Sequence, residues 1–188
     1  MADSPGIFAI FYLLNTLLDE FDGYYSRKLN QTSKFGALLD MLIDRCVTTC
    51  LMVSLSNVYS SYRILFQFLI SLDVSSHWFH MYSSMIKGDK SHKTTTNFFL
   101  KLYYESWSVL TMMCWGNEVF FVMLYLIHFS YGPTVFTLNN APVGLWSLLV
   151  YVSFPICFLK QLVSVVQLMV ASQDVVAYDM AERRKSKS

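Results

Sequence analysis

Charge is the scarcest feature of this sequence: Asp, Glu, Lys and Arg make up 14% of its 188 residues, against 54% hydrophobic and 16% aromatic. Soluble domains carry about 25% charged residues, so this balance excludes an ordinary soluble domain and indicates a membrane protein. The net charge of +1 gives no basic field, which excludes nucleic acid as a partner. Cysteine is also sparse. Cys46, Cys50, Cys114 and Cys157 lie in apolar surroundings, form no CxxC pair and have no His at ligand spacing, so they are expected to be core thiols. No segment combines a basic n-region with a small-residue cleavage site, so no cleaved signal is expected. Internal repeats and low-complexity tracts are absent too.

What is abundant is apolar sequence in a recurring length. A bilayer core of about 30 Å needs roughly 20 helical residues. Five stretches qualify, at about 7–26, 35–58, 63–86, 104–130 and 143–171. The expected fold class is therefore all-α, a polytopic helical membrane bundle of five spans, with residues 1–188 forming one membrane domain.

The connections between spans alternate in charge. Arg27, Lys28 and Lys34 lie between the first two spans, Lys87, Lys90, Lys93 and Lys101 between the third and fourth, and Arg183, Arg184, Lys185 and Lys187 after the fifth. Residues 59–62 and 131–142 contain no Lys or Arg. By the positive-inside rule the basic segments and the C-terminus face the cytosol. That parity leaves the start MADSPG on the far side, so a further span ahead of it is expected. An internal membrane is the expected location.

Against this background, DEFDGYYSRKLNQTSKFGALLDMLID at 19–44 stands out, because it holds four aspartates at the cytosolic mouth of the first two spans. Asp19 and Asp22 are i, i+3 and Asp40 and Asp44 are i, i+4, so each pair lies on one face of its helix. A short loop between antiparallel neighbours can bring all four carboxylates together. The bland alternative is interfacial helix ends, where the helix dipole favours acids in a first turn. That suits Asp40, but Asp19 and Asp22 fall near a C-terminal end, where the dipole opposes them. Hard oxygen ligands from two helices fit a pair of Mg²⁺ or Mn²⁺ ions, whose charge would balance four carboxylates.

Two divalent ions near a membrane surface point to phosphoryl chemistry on a lipid. Gly23 and Gly36 allow close approach to the backbone, and Arg27 offers a planar cation for phosphate oxygens. Each signal is weak alone, since glycine also eases helix packing and arginine snorkels.

The order Asp19-x2-Asp22-Gly23-x2-Ser26-Arg27-x8-Gly36-x3-Asp40-x3-Asp44 resembles the signature of the CDP-alcohol phosphatidyltransferases, membrane enzymes that exchange CMP for an alcohol on a lipid phosphate. It departs at Ser26, where the family usually has Ala. Further stretches, NQTSKFGALLDMLIDR, SLDVSSHWFH, the SHK at 91–93 and the GNE at 116–118, resemble the phosphatidylinositol synthases of eukaryotes within that family. The resemblance implies six spans, the first without a counterpart here. It implies that Asp19, Asp22, Asp40 and Asp44 hold two metal ions, that Gly23, Arg27, Ser33 and Gly36 contact CDP-diacylglycerol, and that Asp44 accepts the proton of the attacking myo-inositol hydroxyl. Family members also pair as homodimers, although no stripe in this sequence indicates a pairing face.

An inositol site needs several hydrogen-bonding side chains facing the bundle interior. Asp73, His77 and His80 share one face of the third span, and Lys160 interrupts the fifth. Asp73, His77 and Lys160 are the acceptor candidates. Asn117 and Glu118 interrupt the fourth span at a depth that argues against them, and a Lys160–Glu118 pair could be purely structural. Tyr103, Tyr104, Trp107 and Tyr131 fit an interfacial belt. Three other readings stay open: a divalent-cation transporter, a non-catalytic membrane partner, and a sister transferase with a different alcohol.

Overall fold

A computed structural model describes residues 4–87, 106–138 and 141–186. Lys90, Lys93, Lys101, Tyr103, Tyr104, Lys187 and the SHK stretch lie outside these residues, as does the side chain of Trp107. Five α-helices and one β-hairpin are present among the described residues.

The first helix, α1, runs over Pro5–Lys28, with Pro5 in its opening turn. Its fixed φ suits that turn, and its missing N–H would have had no partner there. The helix ends where Asn30 takes a left-handed conformation at φ 53°. The Gln31 N–H donates to the Ser26 carbonyl at 2.9 Å and the Asn30 N–H to the Arg27 carbonyl at 3.3 Å. This pair of bonds is a Schellman stop, and asparagine tolerates the left-handed position better than most residues. Ser33 then caps the second helix, α2 at Lys34–Val58, by accepting from the Gly36 N–H at 2.9 Å. The chain thus reverses between α1 and α2 within five residues, and the two helices pack on each other.

A single 3₁₀ turn at Ser60–Tyr62 leads into α3, Arg63–Lys87. The helix α4 covers Trp107–Phe129. It is followed by strands β1, Thr134–Leu138, and β2, Ala141–Gly144, paired antiparallel with an irregularity between Thr134 and Phe136. A Cβ on Gly144 would sit 1.9 Å from the Tyr131 carbonyl oxygen, so only glycine closes this hairpin onto its base. Thr134–Leu138 and Ala141–Gly144, in and beside the uncharged connection, therefore have a regular form that their spacing did not announce.

The last helix, α5, spans Leu145–Lys185 and contains Pro155. At 41 residues it is about 61 Å long, roughly twice the hydrocarbon thickness. The expected end at 171 marks only where apolar sequence gives way to charge, since nothing in 172–185 breaks a helix.

Residues 108–129 and α5 are long and apolar enough to cross a bilayer by length and composition. The other three helices have the length, but carry the acids and hydroxyls that lower their apolarity. Apolar side chains face outward on all of them: Ile64 is 82% exposed and Phe35 72%. Conversely Asp73, Ser76, Asn117, Lys160, Ser164 and Gln167 are buried. Polar inside and apolar outside is the arrangement expected of helices solvated by lipid.

The chain divides into two compact units, 1–67 with 118–153, and 68–117 with 154–188. In the first, the Phe8 and Tyr125 rings meet edge-on at 4.9 Å, and the Tyr59 hydroxyl donates to the Leu124 carbonyl at 2.9 Å. Burial, with a smaller contribution from Tyr131, pushes the Tyr59 phenol above its ordinary pKa. In the second, a Cβ on Gly116 would lie 2.4 Å from the Ile156 side chain, so α4 and α5 pack tightly there.

Candidate functional site

The Schellman stop and the Ser33 cap fix where α2 starts relative to the end of α1, and therefore which faces meet. Asp19 and Asp22 project from one turn of α1 toward Asp40 of α2. One carboxylate oxygen from each of the three lies within 4.8 Å of the others. Asp19 is half-buried, whereas Asp22 and Asp40 are exposed. Ionised together, they repel by roughly 3 kcal/mol per pair at an effective dielectric of about 20. A divalent cation removes that cost, and an all-oxygen donor set on two helices suits Mg²⁺ or Mn²⁺ better than a thiolate-seeking metal.

Asp44, one turn deeper on α2, stands outside that trio, although its charge acts on Asp19. It is half-buried, and its Oδ2 lies 3.6 Å from the Nη2 of Arg45. Three of the four expected ligands are thus gathered, with the fourth adjacent.

The glycines and hydroxyls of the signature turn out to hold local structure. A Cβ on Gly23 would stand 3.3 Å from Nη1 of Arg27, so glycine lets that guanidinium fold back along α1. The Ser26 hydroxyl donates to the Gly23 carbonyl at 3.2 Å. Serine at this position therefore adds a bond within the turn. Ser33 and Gly36 are partners in the α2 cap, and a Cβ on Gly36 would approach the Ser33 oxygen to 3.1 Å. Nothing in the linear signature tells a ligand contact from a capping contact.

The acceptor candidates belong to the other unit. Asp73 is buried on α3, and Nδ1 of His77 lies 2.8 Å from its carbonyl and 3.5 Å from its carboxylate. A carbonyl can only accept, so Nδ1 carries a proton. His80, one turn on, is buried on the same face. Lys160 is buried on α5, where its carbonyl accepts from Ser164 at 3.2 Å. Asn117 accepts from Gln161 at 3.0 Å. Glu118 lies in the first unit and accepts from Tyr12.

Sequence reasoning passed over Ser76 and Gln167. Both are almost fully enclosed, and the Gln167 amide donates to the Ser76 carbonyl at 3.3 Å. The Gln167 Oε1 has no hydrogen-bond partner among the described residues. A buried, unsatisfied acceptor costs about 1–3 kcal/mol and marks a place where a hydroxyl would be welcome. The available signal was the i, i+4, i+7 spacing of Lys160, Ser164 and Gln167 on one face of α5.

The family model for CDP-alcohol phosphatidyltransferases matches residues 2–132. The chain belongs to the CDP-alcohol phosphatidyltransferase family. Among relatives of known name, the human protein "CDP-diacylglycerol--inositol 3-phosphatidyltransferase" is 47% identical over 180 residues, 94% of this chain and 82% of that protein. The Schizosaccharomyces pombe protein of the same name is 43% identical over all of this chain and 85% of its own length. In Saccharomyces cerevisiae the figure is 40% over 89% of this chain and 73% of the relative. No solved structure matches the chain. The matched family region takes in the four aspartates, Arg27, Asp73 and His77, whereas Lys160 and Gln167 lie beyond it.

Proposed function

We propose that this chain transfers the phosphatidyl group of CDP-diacylglycerol to myo-inositol, yielding phosphatidylinositol and CMP. The observation that carries the reading is the convergence of Asp19, Asp22 and Asp40 from two helices, in a family whose matching relatives bear the name of that reaction. Asp19, Asp22, Asp40 and Asp44 would hold two Mg²⁺ or Mn²⁺ ions, which supply positive charge at the phosphate oxygens. Arg27, folded over Gly23, faces the diphosphate, and the start of α2 at Ser33 and Gly36 lies beside it.

In this reading Asp44 takes the proton from an inositol hydroxyl as its oxygen bonds to the phosphorus that carries diacylglycerol. The bond from that phosphorus to CMP breaks, and CMP leaves with the electron pair. Asp73, His77 and Lys160 are the residues this reading assigns to the inositol ring. A site at a helix mouth keeps the lipid phosphate at the interface throughout. In this reading the site and C-terminus face the cytosol on the endoplasmic reticulum, and the Lys and Arg of the connecting segments support the cytosolic side. The whole chain acts as one membrane domain, and any homodimer would be seen in its oligomeric state in detergent.

The test is CMP release by the purified chain in liposomes containing CDP-diacylglycerol, with inositol, serine, glycerol phosphate or no acceptor. Release that depends on inositol supports the reading. Release with another alcohol alone would assign a sister transferase.

A further inference from the structure

Helix α5 lies against α3 in a fixed register. The Gln167 amide donates to the Ser76 carbonyl at 3.3 Å, and the Ser83 hydroxyl donates to Oδ2 of Asp174 at 3.2 Å. The partners of each bond are 91 residues apart, so the second bond follows the first by the same step on both helices. Equal separations mean that α3 and α5 run parallel, with the two bonds on one seam two turns apart. Ser164 and Ala171 share that face of α5 and are almost fully enclosed, so small side chains let the helices approach. Helix α3 can therefore neither slide nor roll at Ser76 without breaking a buried bond.

Ser76 carries this constraint to a neighbouring ring. A serine that bonds back to its own helix is common, and the 3.0 Å bond from Ser76 Oγ to the Asp73 carbonyl would mean little alone. That bond uses the only proton of the hydroxyl, however, so where Oγ meets Nδ1 of His77 at 3.3 Å it accepts. The Nδ1 proton is thus shared between the Ser76 oxygen and the Asp73 carbonyl, 2.8 Å away. A ring turned by about 180° would place a carbon there and lose both bonds. Ser76 is fully enclosed, whereas the His77 side chain is 19% exposed. The ring is gripped on its Nδ1 edge and keeps accessible surface elsewhere.

We propose that Ser76 is a positioning residue: pinned to α5 by Gln167, its hydroxyl holds the His77 imidazole in one orientation and so presents the accessible part of the ring to the polyol acceptor. The acceptor rests on the reaction proposed above, but the hold on the ring does not.

The experiment uses the full chain as wild type, Ser76→Ala and Gln167→Met. Turnover is read in liposomes with CDP-diacylglycerol and inositol. Solvent exchange of the His77 Nδ1 proton is read by NMR on the detergent-solubilised chain carrying isotope-labelled histidine, the signal being assigned by its loss in His77→Phe. Ser76→Ala should raise KM for inositol about fivefold, as for one lost hydrogen bond, and speed the exchange about tenfold. Its kcat and KM for CDP-diacylglycerol should stay within about twofold of wild type. Gln167→Met, which unpins Ser76, should move KM for inositol and the exchange in the same directions by about threefold. Ser76→Ala removes one oxygen and no carbon, so its fold should persist. Wild-type exchange or wild-type KM for inositol in Ser76→Ala would overturn the proposal, as would a lower melting temperature with neither altered, or no Nδ1–H signal in the wild type. Unchanged exchange in Gln167→Met would overturn the part given to α5. If the wild type releases no CMP with inositol, the proposed reaction fails, and the exchange measurement alone decides: faster exchange in Ser76→Ala upholds the hold on the ring, and an equal rate overturns it.

Discussion

The Gly36 N–H donates to the Ser33 hydroxyl at 2.9 Å, and Asp40 lies one turn beyond Gly36 on the same face of α2. The cap thus sets the register in which Asp40 meets Asp19 and Asp22. Ser33→Ala should cost about 1 kcal/mol of stability, and Ser33→Asp should recover most of it, because aspartate caps as well as serine. Thermal unfolding of the detergent-solubilised variants checks this. Equal melting temperatures for all three would show that the cap contributes nothing.

Gly23 works through Arg27. A methyl group at residue 23 reaches to 3.3 Å of the Arg27 guanidinium and pushes it off the helix surface. Gly23→Ala should raise KM for CDP-diacylglycerol about three- to tenfold while kcat falls less. Arg27→Lys should do the same, since an ammonium lacks the planar fork that grips two phosphate oxygens. Initial rates across a CDP-diacylglycerol series separate the two constants.

The carboxylates make a sharper demand. Asp22→Asn and Asp40→Asn each remove a charge from the trio, and turnover should drop about 100-fold or more, as for loss of a metal ligand. Melting temperature should hold or rise in the absence of divalent ions, because mutual repulsion is relieved. Chelation should abolish activity in the wild type, and added Mn²⁺ or Mg²⁺ should restore it. Turnover and melting curves taken with and without chelator test both halves.

In the other unit, His77 and Gln167 should govern the acceptor. His77→Phe removes both ring nitrogens and should raise KM for inositol about tenfold, and Gln167→Met, which removes the orphaned oxygen, about threefold. KM for CDP-diacylglycerol should stay constant in both. Competition by inositol analogues lacking single hydroxyls would show which oxygen each residue meets.

Much of the site was legible because it is written in helical spacing. The i, i+3 and i, i+4 separations of the aspartates place each pair on a face, and the short basic loop all but dictates that the faces meet. The Asn30 stop and the Ser33 cap that carry out the meeting were not legible as such, because asparagine and serine in a loop have many uses. Asp73 and His77 could be paired from the period of α3. The partnership of Tyr12 with Glu118 could not, because 106 residues separate them and nothing in local pattern links them. Among the described residues, the ends of α1, α2 and α3 lie within about two residues of the apolar runs at 7–26, 35–58 and 63–86. The match failed at the end of α5, where a charged surface continues the helix beyond the apolar segment, and at residues 134–144, where a short hairpin leaves little trace in composition.

The most direct test of the proposed reaction is inositol-dependent CMP release by the purified full chain in liposomes with CDP-diacylglycerol, run with Mg²⁺, with Mn²⁺ and with chelator. Equimolar CMP and phosphatidylinositol, appearing only when both inositol and a divalent ion are present, is the predicted result. A folded chain that releases no CMP with inositol, or releases it equally in chelator, would contradict it.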